Sequence, residues 1–157
     1  MLQPETPSFD LYQDYTKGGA GVSEYRNVGR AGSTVCKPGA VNLDTGEELT
    51  YALQRVADTV TVVFKFAPVK AGEATRLRMY ETYTDTARYK LVGDELVWDR
   101  SFGRPANAVV LPAGWALSNS SIPATVTELP DGRIRLDFIN PRPDEIAVLI
   151  TARRRSR

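Results

Sequence analysis

Turn-forming residues recur along this chain at short and fairly even intervals, and this spacing constrains the fold more than any other feature. Gly, Pro, Asn and Asp cluster where a backbone reverses, and the segments between the clusters have the length of β-strands. No segment shows the helical pattern that a parallel α/β sheet needs between its strands. The turn clusters are Lys17–Gly19, Lys37–Gly39, Asp44–Gly46, Lys70–Gly72, Gly93–Asp94, Gly103–Pro105, Pro112–Gly114, Pro130–Gly132 and Asn140–Pro143.

Several of these segments alternate with the period of two that is typical of a strand with one buried face. From Thr59 to Phe66 every second residue is apolar, and Val63 on the other side indicates that this side is partly covered too. Weaker patterns predict strands over Phe9–Thr16 and Glu24–Val28. Over Glu73–Leu91 some apolar residues have near-helical spacing, but the density of Thr and Tyr favours strand over helix.

The end of the chain carries three further strand patterns. They cover Ala124–Glu128, Ile134–Asn140 and Ile146–Thr151. The intervening segments Leu129–Arg133 and Asn140–Asp144 are rich in Pro, Gly and Asp, so both predict tight hairpins. We therefore expect three consecutive antiparallel strands at this end.

Together these patterns predict an all-β chain with little or no helix, built as an antiparallel β-sandwich of the immunoglobulin-like or a related kind. With 157 residues, 42% hydrophobic and 25% charged, the composition is that of a globular protein with one core. We expect a single domain over residues 1–157, in which residues 153–157 form a solvated basic tail. The Cys-Trp-Cys hallmark of true immunoglobulin domains is absent.

Charge and residue usage exclude several functions. Lys and Arg total 20 against 19 acidic residues, so no overall positive field exists to bind a nucleic acid. The chain has no His and only one Cys, Cys36, which removes the usual catalytic bases and zinc ligands. No apolar run reaches membrane-spanning length. We expect no nucleic-acid partner, no membrane insertion, no metal and no cofactor.

Asp44-Thr45-Gly46 matches the short signature of aspartic proteases, in which two such carboxylates share a proton. The sequence contains no second copy, so a catalytic dyad around Asp44 would need a symmetric dimer. The same letters also build a tight reversal between Val41–Leu43 and Leu49–Leu53. The turn is the simpler interpretation, and a carboxylate-only hydrolase is an alternative.

Two charged residues interrupt the apolar face of their strands. Glu81 shares a side with Leu77, Met79 and Tyr83, and Arg100 shares a side with Leu96, Trp98 and Phe102. A charge at a core-facing position needs an opposite charge, and a guanidinium can bind a carboxylate through two hydrogen bonds. We therefore predict that Glu81 and Arg100 pair, either as an ion pair that specifies the fold or as a pair that grips a ligand.

Aromatic residues supply the last candidate site. Trp115 follows the turn Leu111–Gly114, whereas Trp98 lies in the middle of a strand on an apolar face. Trp115 is therefore the better candidate for an exposed ring that stacks on a sugar, with a place in the core or at its rim as the alternative. Trp98 is predicted to be in the core.

These observations favour a non-enzymatic interaction or structural module over an enzyme. An accessory domain or assembly subunit of a bacterial envelope or secreted protein fits best, which favours a periplasmic or secreted location without fixing it. Its expected partner is another protein or further copies of itself. A glycan-binding module and the hydrolase around Asp44 are the alternatives.

Overall fold

A computed structural model describes residues 1–155 of the chain. Within them every regular element is a β-strand, no helix is present, and strand pairing is antiparallel, as the sequence predicts. The strands are β1 (Leu2–Gln3), β2 (Ser8–Gly18), β3 (Glu24–Val28), β4 (Thr34–Asn42), β5 (Tyr51–Val56), β6 (Thr59–Lys65), β7 (Ala74–Thr84), β8 (Tyr89–Val92), β9 (Glu95–Phe102), β10 (Ala106–Leu111), β11 (Trp115–Ser120), β12 (Thr125–Glu128), β13 (Ile134–Ile139) and β14 (Ile146–Arg154).

The backbone divides into two compact units. The terminal unit contains Met1–Phe9 and the chain from Asp85 onward, and the internal unit contains Asp10–Thr84. Strand β2 contributes its first two residues to the terminal unit and the remainder to the internal unit. The expectation of a single domain stays a prediction.

The internal unit holds two sheets around one apolar core. Strands β2, β7 and β4 are hydrogen-bonded in that order, and β3, β6 and β5 form the second sheet. Both sheets supply buried side chains, because β-branched and aromatic residues on alternate positions suit a pleated surface with one buried face. The core contains Tyr25, Ala40, Leu49, Val62, Phe64, Leu77 and Met79.

The terminal unit also holds two larger sheets, in the orders β10–β13–β12 and β11–β14–β9–β8. Strand β1 adds a short ladder in which Leu2 pairs with Phe9. A series of aromatic contacts runs through the core: Phe9 meets Trp98, Trp98 meets Phe102, and Phe102 of β9 lies 5.2 Å from Phe138 of β13, ring centre to ring centre. Side chains of both sheets therefore share this core.

Several strand predictions are confirmed. Strand β6 buries Val60, Val62 and Phe64 on one side and Val63 on the other, as its pattern indicates. The segment that could have been helical forms β7 and β8, so the β-propensity of its Thr and Tyr residues was the better guide. The two weaker patterns correspond to β2 and β3.

The predicted hairpin between the last two strands is wrong. Strand β13 pairs with β10 and β12, whereas β14 pairs with β9 and β11 in the other sheet. The buried Asn140 explains the change of sheet, because its Nδ2 donates hydrogen bonds to the carbonyl oxygens of Phe102 (2.9 Å) and Asp144 (2.8 Å). Its Oδ1 accepts a hydrogen bond from the Arg142 amide. The preceding hairpin, β12–β13, is confirmed.

The basic end of the chain is partly structured. Arg153 and Arg154 belong to β14 and form ion pairs with Glu95 and Glu5, and Arg155 forms one with Glu128. Residues 156 and 157 of the predicted tail lie outside the described residues. Across residues 1–155 we find no helix with the length and apolar character needed to cross a bilayer.

Candidate functional site

Glu81 is buried on the inner side of β7, as its place among apolar neighbours indicates. Its Oε2 accepts a hydrogen bond from Asn27 Nδ2 at 2.7 Å, and Asn27 also donates to the Tyr83 hydroxyl at 3.2 Å. Oε1 is buried without a hydrogen-bond partner in the described structure. Burial raises the pKa of Glu81, and the hydrogen bonds from Tyr83 and Asn27 only partly oppose that rise.

Arg100 lies on the buried side of β9, also as predicted, and pairs with Asp85. Its Nη1 donates to Asp85 Oδ2 at 2.6 Å, and the two side chains are 16% and 6% exposed. The guanidinium carbon lies 5.0 Å from the centre of the Phe9 ring. Asp85 Oδ1 accepts a hydrogen bond from the Arg88 amide at 3.2 Å, so this carboxylate holds both the cation and the turn before β8.

The structure assigns Glu81 and Arg100 to different units. Each has a partner within its own unit, Asn27 for Glu81 and Asp85 for Arg100. Their mutual pairing and a ligand held between them stay predictions. The alternation of apolar residues along the strands identified Glu81 and Arg100 as buried charges but did not identify Asp85. Asp85 follows β7 in a turn, so it interrupts no strand pattern.

Both tryptophans are buried, so neither presents an exposed ring face. Trp98 is in the core, as predicted, and Trp115 is only 4% exposed. The guanidinium of Arg154 lies 5.1 Å from the centre of the Trp115 ring and covers it. Trp115 therefore lacks the open ring face that sugar stacking needs. Its place after a turn had made it, rather than Trp98, the candidate for an exposed ring. A ligand-binding role for Trp115 stays a prediction.

Asp44 lies in the predicted chain reversal after β4. The Asn42 side chain accepts the Asp44 amide at 2.9 Å, and the Gly46 amide donates to the Asn42 carbonyl oxygen at 2.7 Å. The Asp44 carboxylate accepts both the amide and the Nε of Arg76, and these two hydrogen bonds lower its pKa. A catalytic dyad needs one carboxyl group that keeps its proton, whereas these contacts favour the ionised form.

The outer side of the sheet that contains β2 and β7 carries two exposed aromatic rings. Tyr12, 67% exposed, and Tyr80 are 6.5 Å apart, with an angle of 34° between their ring planes. The Tyr80 ring lies over Gly39 of the neighbouring strand, where a Cβ atom would come within 2.4 Å of ring atoms. The glycine therefore provides the space for this ring.

The most open part of the internal unit is strand β5, at the edge of its sheet. All six of its residues are exposed. Tyr51 and Leu53 pair in register with Phe64 and Val62, which are buried, so they lie on the core side of the sheet. They nevertheless remain 47% and 44% exposed, which places half-open apolar side chains along a free strand edge.

The backbone of β5 has unused hydrogen-bonding groups. The Thr50 carbonyl oxygen accepts a hydrogen bond from the Lys65 amide at 3.0 Å. Opposed residues of antiparallel strands alternate between hydrogen-bonded and non-hydrogen-bonded pairs. The amides and carbonyls of Ala52, Gln54 and Val56 therefore point toward β6, and those of Tyr51, Leu53 and Arg55 point outward. The described structure shows no backbone partner for these three residues.

Two of the other strand edges carry interruptions of the kind that usually prevent edge pairing. Strand β4 has an irregular register at Lys37 and Pro38, and β11 has one between Leu117 and Asn119. Strand β5 contains neither Pro nor Lys, and its register with β6 is unbroken over all six residues. Sequence analysis missed this edge, because an edge strand is identified by the order of strands in the sheet. The absence of a protecting Pro or Lys was the only local signal.

Comparison with models of protein families and with curated proteins gives no match for this chain. Among the described residues, no group of three or more Asp, Glu or Cys side chains is placed to bind a metal ion.

Proposed function

We propose that this chain is a non-enzymatic interaction or structural module of β-sandwich architecture, immunoglobulin-like or related, and that it binds protein through the β5 edge. The architecture is supported by the cores, since each unit packs side chains from two sheets together. The interaction role is carried by one observation, the unprotected six-residue edge of β5.

The physical basis is strand addition. An extended partner segment can hydrogen-bond to the outward groups of Tyr51, Leu53 and Arg55, while its side chains cover the exposed apolar ones. The backbone bonds supply affinity that depends little on sequence, and contacts with Tyr51 and Leu53 supply preference for apolar side chains. The backbone hydrogen bonds and the apolar contacts can form only while no other strand covers the β5 edge.

Selection from displayed random peptides of about ten residues, close to the upper length of ordinary strands, tests this proposal. Selected peptides should be rich in β-forming residues, and their binding should be lost in the Leu53→Pro variant. Proline removes the outward amide of residue 53 and leaves the pairing with β6 intact, because that amide does not bond to β6.

Val126→Pro is the matched control. Val126 lies on β12, also an edge strand, and the hydrogen bond from the Leu129 amide to Arg133 places the Val126 amide on the outer side. The selected peptides should bind this variant as they bind the parent. Equal binding to the Leu53→Pro variant, or selection that yields no binding peptide, would refute strand addition at β5.

Glycan binding is the second candidate, and the exposed pair Tyr12 and Tyr80 favours it. Aromatic rings present the flat apolar faces on which sugars stack. A carbohydrate array should then give binding that Tyr12→Ala abolishes. Tyr51→Ala removes an exposed ring from the other sheet of the same unit, so it is the control and should retain binding. Loss in both variants, or in neither, would argue against this site.

A further inference from the structure

The free edge of β5 is complementary to itself. We propose that β5 pairs antiparallel with β5 of a second copy of this chain, with Leu53 at the two-fold axis. This inference rests on the proposed function and names the partner. The sheet β3–β6–β5 of one copy would join the same sheet of the second copy into one continuous sheet. The β5 edge would then no longer be open to other strands.

The register follows from which backbone groups point outward. In an antiparallel ladder two directly opposed residues can exchange both N–H···O bonds only when the groups of both face the partner strand. With Leu53 opposite Leu53 of the second copy, Tyr51 is opposite Arg55 and Arg55 is opposite Tyr51. All three outward residues of β5 then form hydrogen-bonded pairs, and any shift along the strand leaves at least one of them unpaired.

The side chains agree with this register. Tyr51, Leu53 and Arg55 point to one side of the sheet, and a two-fold axis perpendicular to the sheet keeps that side common to both copies. The two Leu53 side chains meet on the axis and cover apolar surface that is half-exposed in one copy. Each Arg55 lies opposite a Tyr51 ring, which suits a guanidinium–aromatic contact.

Charge also permits self-pairing. Arg55 is the only charged residue of β5, and it forms no ion pair within residues 1–155. The two-fold register separates Arg55 from its symmetry mate, so no like charges are directly opposed. Such an interface is one strand wide and small, so the dimer should be weak and reversible.

Sedimentation velocity of the full chain, from about 10 µM to about 1 mM, measures the association. The average mass should rise with concentration toward twice the monomer mass of 17.3 kDa. Over the same range hydrogen exchange should slow at the amides of Tyr51, Leu53 and Arg55, which are free in the monomer. Amides of Val126 and Glu128 on β12 should not change.

Variants at the axis test the register. Leu53→Lys and Leu53→Glu should each stay monomeric, because like charges would meet on the axis, and a mixture of the two should associate again. Val126→Lys, the control on the β12 edge, should dimerise like the parent. Thermal melting confirms that each variant is folded, and the exchange measurement on the parent needs no variant.

The outcomes separate the two proposals. A parent chain that stays monomeric at every concentration overturns self-pairing, as does a dimer unaffected by Leu53→Lys or one without protection of the three amides. Peptide binding that Leu53→Pro abolishes would still support strand addition in each of these cases. Loss of the proposed function itself would be seen only in the peptide selection.

Discussion

Removing Arg100 should strongly destabilise the terminal unit. In the Arg100→Met variant the Asp85 carboxyl group, 6% exposed, loses the guanidinium at 2.6 Å and is left buried without its cationic partner. Breaking a buried pair by removing one partner costs about 3–5 kcal/mol. We expect about 3 kcal/mol, the lower end, because Asp85 Oδ1 still accepts the Arg88 amide.

The reciprocal change, Asp85→Asn, should cost less. The amide oxygen of Asn can still accept the Arg88 amide, and Arg100, 16% exposed, can turn toward water. A lost hydrogen bond between charged groups is worth about 2 kcal/mol. The double variant, Arg100→Met with Asp85→Asn, leaves neither charge unpaired. Its loss in free energy of unfolding should be about 3 kcal/mol, less than the sum of the two single-variant losses, and the difference is a coupling of about 2 kcal/mol.

Urea unfolding at pH 7 provides the assay. Both tryptophans, Trp98 and Trp115, belong to the terminal unit, so their fluorescence reports its unfolding. Circular dichroism follows the strands of both units and shows whether the two transitions coincide. Single-variant effects that add within about 0.5 kcal/mol would refute the interpretation of Asp85 and Arg100 as one coupled pair.

Two further substitutions test buried polar groups. The folded-state pKa of Glu81 is raised above its ordinary value of 4.5, so ionisation of Glu81 destabilises the folded state as the pH rises. Glu81→Gln should therefore be more stable than the parent at pH 7. Below pH 4.5 urea unfolding should show no difference between them, because Glu81 is then protonated in both the folded and the unfolded state. The Tyr89 hydroxyl is buried without a hydrogen-bond partner among the described residues, so Tyr89→Phe should raise the free energy of unfolding by about 1 kcal/mol, and a decrease would indicate a partner.

Local chemistry was sufficient to predict several of the strands and their buried faces. The period-two pattern identified β6 with both sides covered, and it placed Glu81 and Arg100 on the inner sides of their strands. These predictions succeeded because the orientation of a side chain in a strand depends only on residue parity and on which side is apolar. The turn-forming residues Asp44 and Gly46 likewise predicted the chain reversal at Asp44, where the structure adds hydrogen bonds to Asn42.

Partners and sheet order depend on residues distant in sequence, and here local reasoning failed. Burial of Arg100 requires a nearby carboxylate, but parity cannot distinguish Glu81 from Asp85, because turn residues carry no strand phase. The exposure of β5 depends on its neighbours in the sheet, and the covering of Trp115 depends on Arg154, which follows it by almost forty residues. None of these relations leaves a signal in the local pattern.

The change of sheet after β13 could have been predicted from the rule that identified Glu81. Asn140 stands at an apolar position of its strand, in phase with Leu136 and Phe138, and its amide must be hydrogen-bonded when buried. A hairpin at Asn140–Asp144 would leave the end of β13 beside β14 in the same sheet and give the amide no partner on the inner side. Donation to Phe102 of the other sheet satisfies it. In this chain the apolar phase of Asn140, directly before Pro141-Arg142-Pro143, therefore marks the connection between the two sheets.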